Sequence, residues 1–178
     1  MKGGILFFII VLMLTSSFSM YSWRQCEEEN KEMLKDVYTE FETNRWELEH
    51  IGQTFENLLQ NNASNEIIFL YAIKYRDHVF VVKNVFDFLW AHSKEEKEKF
   101  SKLRTAMVNL HVFLNSAAFR SHERRRMMLN ENIETLKQFD VLFKELNKYR
   151  NPYGIPDNLT ARFLNVSEEL HIVEQGGG

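Results

Sequence analysis

Apolar residues recur every three or four positions along most of this 178-residue chain, and that spacing places them on one face of an α-helix. The segments 100–117 and 129–146 follow the pattern most closely, so we predict a helix in each. Their apolar positions are Phe100, Leu103, Met107, Leu110, Leu114 and Ala117 in the first segment and Leu129, Ile133, Leu136, Phe139, Phe143 and Leu146 in the second. Ser93 followed by Glu96 has the sequence of a capping box, which predicts that the first of these helices begins there.

Two earlier segments show the same spacing. Residues 27–60 begin with three glutamates, which favour the positive end of a helix dipole, but the apolar register is lost around residues 43–45. We therefore predict one helix to about Asn44 and a second, looser helix to Gln60. Residues 66–91 are richer in apolar residues than the rest of the chain beyond residue 20, and they predict a mostly buried central helix.

The last long helix is predicted over residues 123–149 and is stopped by Pro152, Gly154 and Pro156. Beyond it, residues 157–178 show a weak apolar pattern that suits either a short amphipathic helix or a disordered extension. We find no credible strand. The expected fold is all-α: a single-domain, cytokine-like bundle of four to six helices over residues 20–156, followed by a tail that is partly ordered or flexible.

The first nineteen residues have the composition of a secretory signal peptide. Lys2 is followed by an apolar run over residues 5–14 and then by small polar residues that would allow cleavage after Ser19. A helix needs about twenty apolar residues to span a bilayer, and this run has about half of them. We predict that residues 1–19 are removed and that the mature chain is secreted and extracellular, without membrane insertion. An uncleaved anchor and a buried N-terminal helix are the alternatives.

Three Asn-x-Ser/Thr sequons begin at Asn62, Asn158 and Asn165, between the predicted helices or beyond the last long one, where a glycan is tolerated. Together with the leader they favour a secreted glycoprotein. The sequence has one cysteine, Cys26, which therefore has no partner within the chain. In a secreted protein it is either an intermolecular disulfide, which would link a homodimer, or a free thiol.

The sequence contains none of the common catalytic or cofactor motifs. It has no glycine-rich phosphate loop and no Gly-x-Ser-x-Gly elbow, and no two of its six histidines lie three or four residues apart. A net charge of −3 gives no reason to expect nucleic-acid binding. We therefore expect no enzymatic activity, no cofactor and no metal site.

The sharpest polar feature is a basic cluster formed by Arg120, Arg124, Arg125 and Arg126. Such a cluster suits a receptor contact, a glycosaminoglycan patch or a processing site, and it equally suits the solvated start of a helix. Arg124 and Arg125 are its candidates for a receptor contact.

The order of elements resembles that of the class II helical cytokines, the interleukin-ten and interferon-gamma group. Residues 81–90 look like the very apolar central helix of that group, residues 100–114 like the next helix, and residues 133–143 like the final one. Cys26 also lies where interleukin-ten-like members often have a cysteine. The chain departs from the group in having no second cysteine and an acidic rather than basic tail.

The resemblance implies recognition rather than catalysis, with two cell-surface receptor chains as partners. It places contacts on the first helix, the following loop and the last helix, which here correspond to Arg45, Trp46 and Glu47 and to the outer face of residues 130–148. Our first hypothesis is therefore a secreted cytokine-like ligand. The alternatives are a secreted carrier of lipid or another apolar molecule, with a pocket lined by Phe80, Phe86 and Phe113, and a secreted interaction protein without a signalling role.

Overall fold

The computed structural model describes residues 2–172, with side chains from residue 12 onward. Within this range the chain is all-α, which confirms the predicted fold class, and it forms one compact unit. The helices are α1 Lys2–Glu40, α2 Glu42–Glu47, α3 Ile51–Gln60, α4 Asn65–His92, α5 Lys97–Phe119, α6 His122–Glu131, α7 Ile133–Leu146 and α8 Asp157–Glu168, with 3₁₀ turns at Leu48–His50 and Pro152–Gly154.

The described residues therefore form more helical segments than the four to six expected. The predicted last long helix is broken at Asn132, which separates α6 from α7. Asn132 is 1% exposed. Its side-chain amide donates to the carbonyls of Met128 and His171, and its Oδ1 accepts from the backbone N–H of His171. The break is thus a tertiary junction with the chain that follows α8.

The antiparallel pair α4 and α5 forms the centre of the bundle. Ile68, Ala72, Val79 and Phe86 on α4 are completely buried. Ser93 is the predicted N-cap, and its Oγ accepts from the Glu96 N–H at 3.2 Å, although α5 itself begins at Lys97. α4 was predicted to be mostly buried, but its outer side is open, and Leu70 is 61% exposed there.

Helix α8 packs into the same core, so the bundle does not end at residue 156. Leu159 and Phe163 are completely buried. The ring of Phe163 lies 5.2 Å from the ring of Phe143 and 6.2 Å from that of Phe139 on α7. Of the two alternatives for the segment after Pro156, the helix is therefore present through Glu168, and residues 173–178 lie outside the described residues.

Helices α3 and α7 cross in direct backbone contact. A Cβ on Gly52 would lie 2.4 Å from the backbone nitrogen of Lys137, so only glycine permits this approach. At the same crossing, the Asp140 carboxylate on α7 accepts from the N–H groups of Gly52 at 2.8 Å and Gln53 at 2.9 Å. The N-terminus of α3 is thus capped from another helix.

Candidate functional site

A candidate protein-binding surface lies where α2 packs beside α4, and we name it the Trp46 surface. It consists of Asn44, Trp46, Glu47, Lys74 and His78. The indole of Trp46 is 51% exposed. Lys74 donates from Nζ to Oε2 of Glu47 at 2.7 Å, and Nδ1 of His78 lies 3.0 Å from Oδ1 of Asn44.

Arg45 holds α2 in place from beneath this surface. It is 3% exposed, and its guanidinium lies 3.7 Å from the centre of the Tyr38 ring. Nη1 donates to the Tyr38 carbonyl at 2.6 Å, and Nε donates to Oδ1 of Asn147 at 3.2 Å. Asn147 in turn donates to Oε1 of Glu49 at 2.7 Å. The short helix is therefore tied to the end of α7, so Trp46 is presented by a fixed backbone.

The charges of the Trp46 surface are balanced at neutral pH. The hydrogen bond from Lys74 lowers the pKa of Glu47, and the same bond raises the pKa of Lys74, so both groups are charged. Burial lowers the pKa of His78, so its imidazole is neutral at pH 7. A neutral imidazole and a paired carboxylate leave the exposed indole as the dominant feature of the surface.

Large aromatic side chains with neighbouring charges are typical of interface hot spots. Trp46 is exposed, rigidly positioned and bordered by one ion pair, which is the composition expected at the centre of a protein contact. The surface offers no nucleophile beside a base and no cluster of carboxylates. Its geometry therefore supports recognition.

Sequence reasoning named only part of the Trp46 surface. Trp46 and Glu47 are on it, whereas Lys74 and His78 were missed. These two polar residues lie four positions apart on α4, so they share one face of that helix. That spacing was the available signal.

Arg45 must be withdrawn from the candidate receptor contacts, because its guanidinium is buried in the bonds described above. Arg125 must also be withdrawn. It is 9% exposed, and it donates to the carbonyls of Ala117, Ala118 and Arg120 at the end of α5 and to that of Asn65 on α4. Backbone carbonyls accept four of the five N–H donors of this buried guanidinium, so its charge is used within the fold.

The other arginines of the basic cluster differ in whether the fold uses them. Arg126 donates to Oδ1 of Asn65 at 3.1 Å and to the carbonyl of Ala63, so it ties α6 to the first residue of α4 and to the loop before it. Arg124 is exposed. It lies on α6, and no other member of the cluster is fully exposed beside it, so the structure does not form a continuous basic patch from these four side chains.

The predicted modification sites are on the surface. Asn62, Asn158 and Asn165 are all exposed, and so is Cys26 on α1. The hydroxyl-bearing residues of the three sequons take part in the folded structure through a hydrogen bond or through burial. Oγ of Ser64 accepts from the Ile67 N–H at the start of α4, and Thr160 and Ser167 are 0% and 2% exposed.

The pocket predicted for a carrier is not formed by its three phenylalanines. Phe86 and Phe113 are 0% exposed, so in the described part of the chain no water-sized space touches either ring. Phe80 is 47% exposed, and its ring lies 5.6 Å from that of His111 on the outside of the bundle. The three rings share no cavity.

Two kinds of site are absent from residues 2–172. No group of three or more His, Cys, Asp or Glu side chains is placed to hold a metal ion. None of the described helices has both the length and the apolar composition needed to cross a membrane.

No protein-family model, no curated protein and no solved structure matches this chain. Function is therefore inferred from the surfaces of the molecule itself.

Proposed function

We propose that this protein is a secreted, glycosylated helical ligand that binds cell-surface receptor chains through the Trp46 surface. The observation that supports this proposal most strongly is the half-exposed Trp46 indole on a helix fixed by the buried Arg45. A receptor contact needs such a rigid, exposed aromatic group, because little conformational entropy is then lost on binding.

The exposed apolar side chains of residues 12–18 on α1 support removal of a signal peptide. Leu12, Met13, Leu14 and Phe18 are between 51% and 72% exposed, and from residue 12 onward the first residue of α1 that is buried in the core is Leu34. Cleavage after Ser19 would therefore remove exposed apolar surface without disturbing the bundle. Secretion in turn allows glycosylation of the three exposed sequon asparagines.

The resemblance to class II cytokines is part of this proposal. It accounts for the apolar α4, the following α5 and the position of Trp46 after the first helix. The carrier is the weaker alternative because Phe86 and Phe113 adjoin no space for a ligand. The interaction protein differs from the first proposal only in that its binding triggers no signal.

A screen of the secreted protein against an array of receptor ectodomains tests the proposal. We expect a binding partner, and we expect Trp46→Ala to weaken its binding at least about tenfold, as the loss of a hot spot does. Trp23→Ala is the matched control, because that indole is 59% exposed on α1, outside the Trp46 surface.

Circular dichroism and thermal melting must show that both variants are folded. If a receptor binds Trp46→Ala and the wild type equally, the Trp46 surface is not the contact. If no ectodomain binds and lipid co-purifies with the secreted protein, the receptor ligand is rejected in favour of the carrier.

A further inference from the structure

Helix α4 has more apolar surface than the rest of the bundle covers. Its inner side is packed into the core, as described above. On its outer side Leu70 is 61% exposed and Phe80 is 47% exposed, while Ile73 between them is half-buried. No other segment of residues 2–172 covers Leu70 or Phe80, so α4 exposes large apolar side chains in addition to those that it buries in the core.

The exposed apolar surface continues onto α5. The ring of Phe69 lies 6.5 Å from that of Phe119, and the ring of Phe80 lies 5.6 Å from that of His111. On α5 itself, Phe119 is 66% exposed and Val112 is 46% exposed. We call this surface the α4/α5 face. Its residues are Phe69, Leu70, Ile73, Arg76, Asp77, Phe80, Lys83, Asp87, Trp90, Arg104, His111, Val112 and Phe119.

The charges of the α4/α5 face nearly cancel one another. Asp87 accepts hydrogen bonds from both Lys83 and Arg104. Asp77 accepts from Nη2 of Arg76 at 2.7 Å. Three cations and two carboxylates therefore lie among the aromatic rings. Such a face has the apolar and arginine-rich composition of a protein interface, and it offers little net charge to select a strongly acidic or basic partner.

The adjacent charges at the middle of α4 are complementary to a second copy of themselves. A two-fold interface brings the same patch of two molecules together. If two α4 helices cross antiparallel about a point between residues 76 and 77, Arg76 of each copy faces Asp77 of the other. Ile73 of each copy then faces Phe80 of the other, so apolar contacts flank the central ion pairs.

The α4/α5 face is also large enough for a stable dimer. α4 has 28 residues and α5 has 23, so the helices are about 42 and 35 Å long. Two helices packed side by side at a spacing of about 10 Å present a face about 20 Å wide. The product of length and width is about 700–840 Å² per copy, which is close to the roughly 800 Å² that each partner buries in a standard interface.

We propose that the α4/α5 face is a homodimer interface in which two folded bundles pack antiparallel, α4 against α4, without exchanging any segment. The dimer does not depend on a disulfide through Cys26, and it does not depend on receptor binding. A monomeric protein would therefore refute this proposal and leave the proposed function untouched.

Sedimentation velocity of the secreted Cys26→Ser protein at about 50 μM tests the interface, since contacts of this size are populated in that range. We expect a dimer. Phe80→Arg should give a monomer, and it should remain folded because that ring is on the surface. Val141→Arg is the matched control. Val141 is 57% exposed on α7 and lies outside the α4/α5 face, so this variant should stay dimeric.

A charge exchange tests the register of the crossing. Arg76→Asp alone and Asp77→Arg alone should each be monomeric, because each places like charges opposite one another. The double variant, Arg76→Asp with Asp77→Arg, should dimerise again. A mixture of the two single variants should form a heterodimer, since one then presents two anions and the other two cations.

A wild-type monomer, or a dimer that survives Phe80→Arg, would overturn the proposed interface. Single charge variants that dimerise as well as the wild type would overturn the antiparallel register centred between residues 76 and 77. Circular dichroism spectra of all variants distinguish these outcomes from unfolding.

Discussion

Replacement of Asp140 should destabilise the bundle more than replacement of any exposed aspartate. Asp140 is 7% exposed, and its two carboxylate oxygens accept the N–H groups of Gly52 and Gln53. Asp140→Ala leaves the buried N–H of Gly52 without an acceptor, at a cost of about 1–3 kcal/mol, and it also removes the bond to the part-buried N–H of Gln53, which costs less. Removing the carboxylate also removes the cost of burying its charge, so we expect a net loss of about 1–3 kcal/mol.

The assay is urea unfolding followed by circular dichroism at pH 7. Asp140→Asn keeps one acceptor oxygen in place, so its loss should be about 1–2 kcal/mol. Asp36→Ala is the control, because Asp36 is exposed on α1 and its replacement should change stability by less than about 0.5 kcal/mol. Equal stabilities of Asp140→Ala and Asp36→Ala would refute the role of Asp140 as the cap of α3.

The pH dependence follows from the same carboxylate. Burial raises the pKa of Asp140, and the two N–H donors only partly oppose this. The folded state therefore binds the proton more tightly than the unfolded state. The stability that this tighter proton binding contributes is fully present below the ordinary aspartate pKa of about 3.9. It is lost as the pH rises through the raised pKa of Asp140. The stability of the wild type relative to Asp140→Asn should thus fall across that window, and a rise would contradict the dominance of burial.

Three further predictions concern stability. Gly52→Ala should lower the free energy of unfolding in urea by more than about 3 kcal/mol, because the new Cβ would overlap the backbone of α7. Gly154→Ala is its control and should lower that free energy by less than about 1 kcal/mol, because its Cβ would meet only a Tyr149 side-chain atom at 3.9 Å. Arg125→Ala should lower the free energy of unfolding by about 2–4 kcal/mol and Arg124→Ala by less than about 0.5 kcal/mol, since only the first leaves buried carbonyls unpaired. Similar losses in the two variants would contradict the structural role of Arg125. Deletion of residues 157–178 should abolish cooperative thermal unfolding, because α8 completes the core, and a cooperative transition would show that α8 is dispensable.

Local periodicity predicted the helices because a helix depends mainly on which residues share one face. The positions Phe100, Leu103, Met107, Leu110 and Leu114 are all buried on α5, as their spacing indicated. The turn residues after residue 149 likewise predicted the end of the preceding helix. These features are local, and a single segment of chain suffices to read them.

The local spacing of apolar residues did not predict the break at Asn132 or the packing of α8 against the core. Asn132 bonds to His171, which lies 39 residues away, so the interruption of the helix depends on a distant partner. Phe163 belonged only to a weak pattern in the sequence and Leu159 to none, yet both are completely buried because α5 and α7 provide a groove for them. Weak amphipathicity becomes decisive only when a complementary surface exists.

The candidate site shows the same division. Trp46 and Glu47 were predicted as surface residues and lie at the surface. Arg45 and Arg125 looked equally suitable in the sequence, but each points inward to backbone carbonyls that other segments supply. Composition shows that an arginine is charged, but it does not show which carbonyls the folded chain leaves without donors.

The sequence by itself determined the all-α class, the approximate helix segments and the positions of the sequons and the single cysteine, because these depend on residue identity and short-range spacing. Only the tertiary structure decided which arginines are buried, that α8 belongs to the core, and that the outer side of α4 is left uncovered. These properties depend on contacts between residues far apart in the chain, and such contacts form only when the helices have packed together.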